Sequence, residues 1–291
     1  MKNIQGRTAM LQLSQLRPFK GHPYKVVDNE EMETLTESIR ASGILAPLIV
    51  RPLEDTENEY EIISGHRRFH AAQKAGITEI PVRIYDMDRD IAAIMLVDSN
   101  LHREHILPSE KAFAYKLKME ALAHQGKRTD LTSRQVGTKS RTDESMAEDC
   151  EDSARQIQRY IRLTNLIPEL LGYMDAGKMA LSVGVELSYL SEPCQQDLLE
   201  LCQVNDCTPS YSQAFRLKNI YRDGQLTKDG LAEIMNEEKA NQREKISFPM
   251  EDLRRYFPDG YTPQEMQRTI LRLLENERQR RQRYRDDGME R

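Results

Sequence analysis

Apolar positions follow two rhythms along this chain, and the change between them divides it. Over residues 10–16, MLQLSQL alternates apolar and polar side chains with the period of a half-buried strand. FKGHPY then breaks the pattern with a glycine and a proline. From Asp28, DNEEMETLTESIRASG sets Met32, Leu35 and Ile39 on one helical face, behind an Asp/Asn start and early acids. Gly43 stands where such a helix would end. ILAPLIVRPL reads as a buried strand, and EYEIIS as its partner across an acidic turn. A helix from Arg68 to Ala75 follows, with Gly76 as its stop, then a short strand in IPVRIYD. RDIAAIMLVDSNL is helical, and Pro108-Ser109-Glu110 opens a longer helix running to about His124. This alternation predicts a compact mixed α/β domain over residues 1–124.

The rhythm then stops. QGKRTDLTSRQVGTKSRTDES is polar, sustains no hydrophobic period, and reads as a hinge or loop. Beyond it the pattern is helical to about residue 235, which predicts an all-α segment over residues 125–235. NEEKANQREK reads as a charged linker. A small α+β C-terminal unit is expected over residues 245–285, with KISFPMEDLRRYFPDGY as strand and turn and TPQEMQRTILRLLENERQRRQR as a terminal helix. Met266, Ile270, Leu273 and Leu274 form an apolar stripe there, suited equally to packing within the unit and to a dimer seam.

Composition narrows the function classes. The chain has 291 residues, 31% of them charged, and a net charge of -5, so its surface is large and its cores small. No run approaches the roughly 18 apolar residues of a membrane span, and MKNIQGRTAM lacks the apolar core of a signal peptide. A soluble cytoplasmic protein with no membrane contact is expected. The four cysteines, Cys150, Cys194, Cys202 and Cys207, show no CxxC spacing and read as free thiols. His66 and His70 lie four apart, but no nearby Cys or acid completes a zinc set. Net negative charge argues against a uniformly basic nucleic-acid binder and leaves room for a local basic patch. Five arginines between Arg278 and Arg285 fit either a solvated helix end or nonspecific phosphate contact.

Two knots of polar chemistry stand out against that background. In SGHRRFHAAQKAG, Gly65, Arg67 and Arg68 fall where a strand gives way to a helix. Helix N-termini present unpaired N–H groups and the positive end of the dipole, glycine admits close approach, and arginine grips phosphate oxygens in pairs. Pairing of the two arginines with carboxylates of the same domain is the plainer alternative. In DSNLHREHILPSEKAF, Asn100, His102, Arg103, Glu104 and His105 cluster between two helices. Asn100 could ligate magnesium while the cations contact phosphate, since phosphate-bound magnesium takes few protein ligands. A capped interhelical loop is the alternative.

A third stretch, ESMAEDCEDSARQIQRYIRL, fits a helix-turn-helix at about 143–163. Ala147 is small where two helices would approach, and Ile157 and Tyr160 carry the buried face of the second. Ser153 caps that helix and leaves Arg155, Gln156, Gln158 and Arg159 to project, a set able to read guanine and adenine edges. An ordinary surface helix pair fits the same pattern. In the following stretch Gly177-Lys178 is either a phosphate contact or a plain interhelical turn.

The three boxes together resemble the ParB partition proteins. GHRRFHAA is similar to that family's GERRxRAA, SNLHREHILPSEKA to ENLQRxDLNPxEEA, and SIRASGILAPLIV to SIxxxGIxQPLxV, in the family's order over residues from about Leu13 to Glu120. LTNLIPELLGYMDAGKMALSVGVELSYLS resembles the stretch after the family's helix-turn-helix, matching at Leu166, Pro168, Gly177, Lys178 and Leu187. The resemblance implies a CTP and magnesium site: Gly65, Arg67, Arg68, Asn100, Arg103 and Glu104 around the triphosphate and metal, with Asn100 on the magnesium, and the segment from Gly43 to Pro47 facing the cytidine. It implies double-stranded DNA with a palindromic centromere-like site as partner, contacted by Ser153, Arg155, Gln156, Gln158, Arg159 and Lys178. It further implies a homodimer formed through the C-terminal unit, a ParA-type ATPase partner, a nucleoid-associated protein, and a clamp that closes around DNA in plasmid or chromosome partition.

Two positions depart from the pattern. Ser99 stands where the family often has its hydrolytic Glu, which leaves catalytic residues unassigned and weak CTP hydrolysis an open matter. Ala46 stands where the family has Gln, which bears on base selectivity. Both favour a rival reading, a sequence-specific transcriptional regulator without a nucleotide switch. A ParB-like nuclease would need a carboxylate-rich metal site, which Asp98 and Glu104 do not supply. Sulfiredoxin shares the small fold, but its catalytic Cys position is Gly65 here.

Overall fold

The strand Tyr60–Ser64 carries three consecutive buried residues, Glu61, Ile62 and Ile63, so both faces of its sheet must be covered. The computed structural model describes residues 6–54, 56–101, 103, 105–130, 152–237, 250–258 and 260–289. Within it the strands are β1 (Arg7–Gln12), β2 (Leu16–Pro18), β3 (Leu48–Pro52), β4 (Tyr60–Ser64) and β5 (Glu79–Ile84). They form one mixed sheet in the order β1-β5-β3-β4-β2. β5 lies antiparallel to β1 and parallel to β3, while β4 lies antiparallel to β3 and parallel to β2.

Helices α1 (Glu30–Ser42) and α2 (His66–Ala75) cover one face, where Met32, Ile39, Phe69 and Ala72 pack on Leu48, Val50 and Ile62. Helices α3 (Arg89–Leu101) and α4 (Pro108–Asp130) cover the other, where Ala92, Leu96, Val97, Ala114 and Ala121 pack on Ile63. The start of α1 follows from its sequence: Asn29 Oδ1 accepts from Met32 N at 3.1 Å, and Glu30, Glu31 and Glu33 favour the positive end of the helix dipole.

Six of the following elements continue the chain as helices: α5 (Ala154–Arg162), α6 (Pro168–Asp175), α7 (Leu181–Leu187), α8 (Glu192–Val204), α9 (Tyr211–Arg222) and α10 (Lys228–Asn236). Leu170, Leu187, Leu198, Leu217 and Leu231 build their shared core. Ala112 of α4 belongs to that core as well, and Tyr115 of α4 packs on Ile157 of α5. One helix therefore serves the sheet domain and the helical segment together. The chain divides into two compact units, 1–237 and 238–291.

Several expectations change. β1 begins at Arg7, earlier than the alternation suggested, and ends at Gln12, where Leu13–Gln15 turn as a 3-10 helix. The helix expected from Arg68 begins at His66. The loop expected from residue 125 is helical at its start, because α4 continues to Asp130, so the expected boundary at 124 falls inside a helix. The rest of that loop and the first helix of the expected helix-turn-helix lie outside the described residues. In the second unit Met250–Arg254 (α11) is helical rather than strand, and α12 (Pro263–Met289) follows. Pro249-Met250 followed by the acids Glu251 and Asp252 is a helix-start signal that the strand reading overlooked. The KISF strand lies outside the described residues, and every described element of this unit is helical. Met266 on α12 is buried, whereas Leu273 and Leu274 are exposed. No described helix is long and apolar enough to cross a membrane.

A buried ion pair ties the sheet to the segment after β2. Arg51 and Glu61 oppose each other across β3 and β4, with Nε donating to Glu61 Oε2 at 2.8 Å, and both side chains are about 5% exposed or less. The other carboxylate oxygen, Oε1, accepts from Lys20 N at 3.0 Å. Removing one partner strands a desolvated charge. Glu61→Ala should destabilise the chain by about 3–5 kcal/mol, and the exposed Glu54→Ala by far less, measured as the shift in thermal unfolding midpoint.

Candidate functional site

β4 ends at Ser64 and α2 begins at His66, so Gly65 alone makes the turn. Its backbone is left-handed at φ +107°, and a Cβ there would lie 2.7 Å from Leu48 Cγ. Both facts exclude a side chain. No side chain caps α2 and no acid occupies its first turn. The helix start therefore offers N–H groups and the positive dipole end to an anion.

A cleft of about 210 Å³ opens at that point, lined by His22, Tyr24, Lys25, Val26, Ser64, Gly65, His66, Arg67, Arg68, Asn100 and Arg103. Four of these residues are cationic, and none of the described lining residues is a carboxylate. Whole-ligand pockets usually span about 300–1,000 Å³, so this cleft is sized for a small group or for one end of a larger ligand. Arg68 Nη1 donates to the carbonyls of Ala46 and, at 3.3 Å, Pro47. Burial pushes the Arg68 guanidinium below its ordinary pKa, a penalty that an adjacent anion would relieve. Arg67 pairs with Glu31 at 2.9 Å where both are exposed, a contact easily exchanged. The Arg103 guanidinium lies 5.5 Å from the centre of the Tyr24 ring.

Of the residues singled out in the sequence, Gly65, Arg67, Arg68, Asn100 and Arg103 meet in this cleft. Gly43 and Pro47 do not line it. Gly43 ends α1 at φ +69°, and Pro47 touches the cleft through its carbonyl, which accepts from Arg68. Glu104 lies outside the described residues. Asn100 is buried, and its Nδ2 donates to Leu96 O at 2.7 Å and to Ser99 Oγ at 3.2 Å. Its Oδ1, the atom able to ligate a cation, has no hydrogen-bond partner among the described residues. No cluster of three or more His, Cys, Asp or Glu able to hold a metal occurs among the described residues.

Sequence reasoning missed the wall that FKGHPY supplies, treating it only as a break. His22 and Tyr24 come from it and Lys25 follows it directly, and His66 was weighed only as half of a zinc pair. The density of His, Lys and Tyr in a short Gly/Pro segment was the available signal. His22 and His66 stack with ring centroids 3.7 Å apart, and Phe19 N donates to His66 Nε2 at 3.3 Å. Burial, reinforced by His22 and Arg103, pushes His66 down to about 3, and burial also lowers His22. Both rings are neutral donors or acceptors at neutral pH.

The helical segment carries the other predicted residues. Ser153 Oγ accepts from Gln156 N at 3.3 Å and caps α5. Ile157, Tyr160 and Ile161 face α4, and Arg155 and Gln158 are exposed. Arg159 Nη1 donates to Gln156 Oε1 at 3.2 Å, which prearranges a guanidinium beside an amide. Arg162, which the sequence reading left out, donates to Ser188 and stacks 3.9 Å from the Tyr189 ring centre, locking α5 to the C-terminal end of α7. Lys178 lies apart from α5 in sequence, exposed in the turn between α6 and α7, its Nζ 5.7 Å from the Tyr173 ring centre.

Residues 2–101 match the family described as the ParB N-terminal domain. The chain carries a ParB N-terminal domain. This chain is 29% identical to the chromosome-partitioning protein ParB of Caulobacter vibrioides over 64% of its length and 55% of the relative's. It is 35% identical to the chromosome-partitioning protein Spo0J of Thermus thermophilus over 58% of its length and 55% of the relative's. The chain thus spans about half the length of these curated ParB relatives. A C-terminally truncated ParB from Caulobacter crescentus complexed with CTP-γ-S covers 65% of this chain and 95% of that one, at 26% identity and a TM-score of 0.32. The same protein complexed to the centromeric parS site covers 78% and 98%, at 22% identity and a TM-score of 0.41.

The buried histidine sets a pH dependence for the domain. With His66 at about 3 in the fold and near its ordinary 6.5 when unfolded, the unfolded chain binds more protons below 6.5. Stability is full above that value and falls as pH drops toward 3. Between about pH 7 and pH 5 the loss from this group should be on the order of 1 kcal/mol after allowance for its partial exposure. Thermal unfolding across that range should show a shallower decline in His66→Asn than in the natural chain.

Proposed function

We propose that this chain is a DNA-partitioning protein in which a CTP–magnesium site in the α/β domain controls a centromere-binding helical segment. The observation that carries the reading is the cleft at the start of α2: a left-handed glycine, an uncapped helix end and Lys25, Arg67, Arg68 and Arg103 around one space without a described carboxylate. That chemistry suits a polyphosphate. Magnesium would supply charge neutralisation, and Asn100 Oδ1 is the protein group that would hold it. A site with one amide and phosphate oxygens fits the sparse ligation magnesium accepts.

DNA binding is assigned to α5. Its exposed Arg155 and Gln158 and the paired Gln156 and Arg159 suit base edges and phosphates in a major groove. Lys178 is placed as a phosphate contact. In this reading the sheet domain serves nucleotide, the helical segment to about 235 serves DNA with α4 shared between them, and 245–285 serves dimerisation; the partners are a palindromic double-stranded site, a second copy and a ParA-type ATPase. The protein is then nucleoid-associated and cytoplasmic. DNA engagement biases the nucleotide domains toward self-association, so that two copies close around the duplex.

Two observations bear on turnover. Ser99 Oγ donates to Leu96 O and offers no carboxylate, and Asp98 is held by the buried Lys118 at 2.7 Å. They support binding with slow or absent hydrolysis, and favour, as a second reading, a DNA-binding regulator without a nucleotide switch.

Calorimetric titration of CTP, ATP, GTP and UTP with magnesium, with and without genomic-fragment DNA, separates the two. The partition reading expects selective CTP binding, weakened about tenfold or more by Arg68→Ala, and no binding of any nucleotide would leave only the regulator. Arg155→Ala and Arg159→Ala should each weaken specific DNA binding by about 1–3 kcal/mol without changing nucleotide affinity, read by fluorescence anisotropy on a selected site.

A further inference from the structure

One cation of the cleft is shared with the helical segment. Lys25 lines the cleft, yet its Nζ donates to Asp175 Oδ2 at 2.9 Å, on the last residue of α6. The same carboxylate accepts from Ser109 N at 3.0 Å through Oδ1 and from Ser109 Oγ at 2.6 Å through Oδ2, at the start of α4. Lys25 is fixed a second time, because its backbone N donates to Glu110 Oε1 at 2.7 Å. Burial works against the charged Asp175, but the hydrogen bonds from Lys25 and Ser109 outweigh it and hold the carboxyl below its usual range. Asp175 is therefore an anion at neutral pH, already seated on a cleft cation.

From this geometry we infer that Asp175 is an intramolecular competitor of the cleft's anionic ligand: Lys25 serves either the α6 carboxylate or a bound polyphosphate, so cleft occupancy releases the C-terminal end of α6 from the cleft wall while its tie to α4 stays. The inference rests on the polyphosphate reading of the cleft and adds the residue pair through which occupancy reaches the helical segment. The two states draw on one ammonium group, so the coupling is negative and reciprocal. Its size is bounded by the chemistry. The Lys25 side chain is 56% exposed, and exposed pairs contribute little. The coupling is a few-fold adjustment rather than an all-or-none switch. Ser109 keeps its hydrogen bonds to Asp175 when Lys25 leaves, so the α4 start remains capped while the link across to the cleft is lost.

The test is calorimetric titration of the full chain with sodium tripolyphosphate and, separately, CTP–magnesium. Asp175→Asn preserves an acceptor for Ser109 and removes the charge that holds Lys25; it should bind tripolyphosphate about threefold tighter than the natural chain. On a Lys25→Met background the same substitution should change nothing. Hydrogen exchange gives a second reading that does not depend on the variant folding perfectly: tripolyphosphate should raise exchange at the C-terminal turn of α6 in the natural chain and not in Lys25→Met. Unchanged or weaker binding by Asp175→Asn, with the natural chain binding normally, overturns the competition. Failure of the natural chain to bind either ligand overturns the polyphosphate reading itself.

Discussion

A single left-handed residue fixes the geometry on which the candidate site depends. Gly65 joins β4 to α2 without any intervening loop, at a φ that L side chains avoid and with Leu48 too near for a Cβ. The strand is held on both sides within the sheet, so the turn aims the start of α2 at one place. Arg67 and Arg68 follow in the first turn and inherit that direction. Any longer connection would let the helix end wander, and an anion site made of backbone N–H groups needs a fixed helix end more than it needs any one side chain.

The opposite wall of the cleft is held by a different device. Segment 19–25 has no regular structure of its own to fix it, and the buried Glu61 does so by accepting from Lys20 N while paired with Arg51. Phe19 N then donates to His66, which closes the link between the segment and α2. Desolvated pairs of this type add little net stability compared with apolar packing. Here the pair positions a polar segment against the sheet at a point where an apolar substitute would leave the Lys20 N–H without an acceptor.

Much of this could be read in the chain. The helices with clear apolar stripes and capping residues appeared where their patterns put them, as with Asn29 and Gly43 bounding α1. Gly65 and its arginines were legible because glycine followed by cations at a strand end carries a specific physical meaning. What the pattern could not give was long-range assembly. FKGHPY has no period, so nothing local showed that His22 and the following Lys25 would line one cleft with Arg68. The continuation of α4 through QGKRTD was hidden because polarity was taken for a loop, although Lys and Arg propagate a helix well. Ala112, Ala114 and Tyr115 turn successive positions of α4 toward three clusters, and no single amphipathic stripe records that.

The acidic net charge of the chain and the cationic cleft are parts of one arrangement. Arg67 already holds Glu31, Lys25 holds Asp175, and Arg68 holds two backbone carbonyls. Each cation is thus partly satisfied before any ligand arrives, which keeps like charges from driving the segments apart. Ligand binding at such a site is an exchange of partners, and its net free energy is the difference between two sets of hydrogen bonds. The exposed Glu31 gives up Arg67 at little cost, whereas Asp175, tied also to Ser109, is the harder one to displace. Selectivity among anions then follows from how many of these exchanges one ligand can make at once. In the proposed reading, a polyphosphate with several oxygens along one chain offers partners to more of these cations than a single phosphate does.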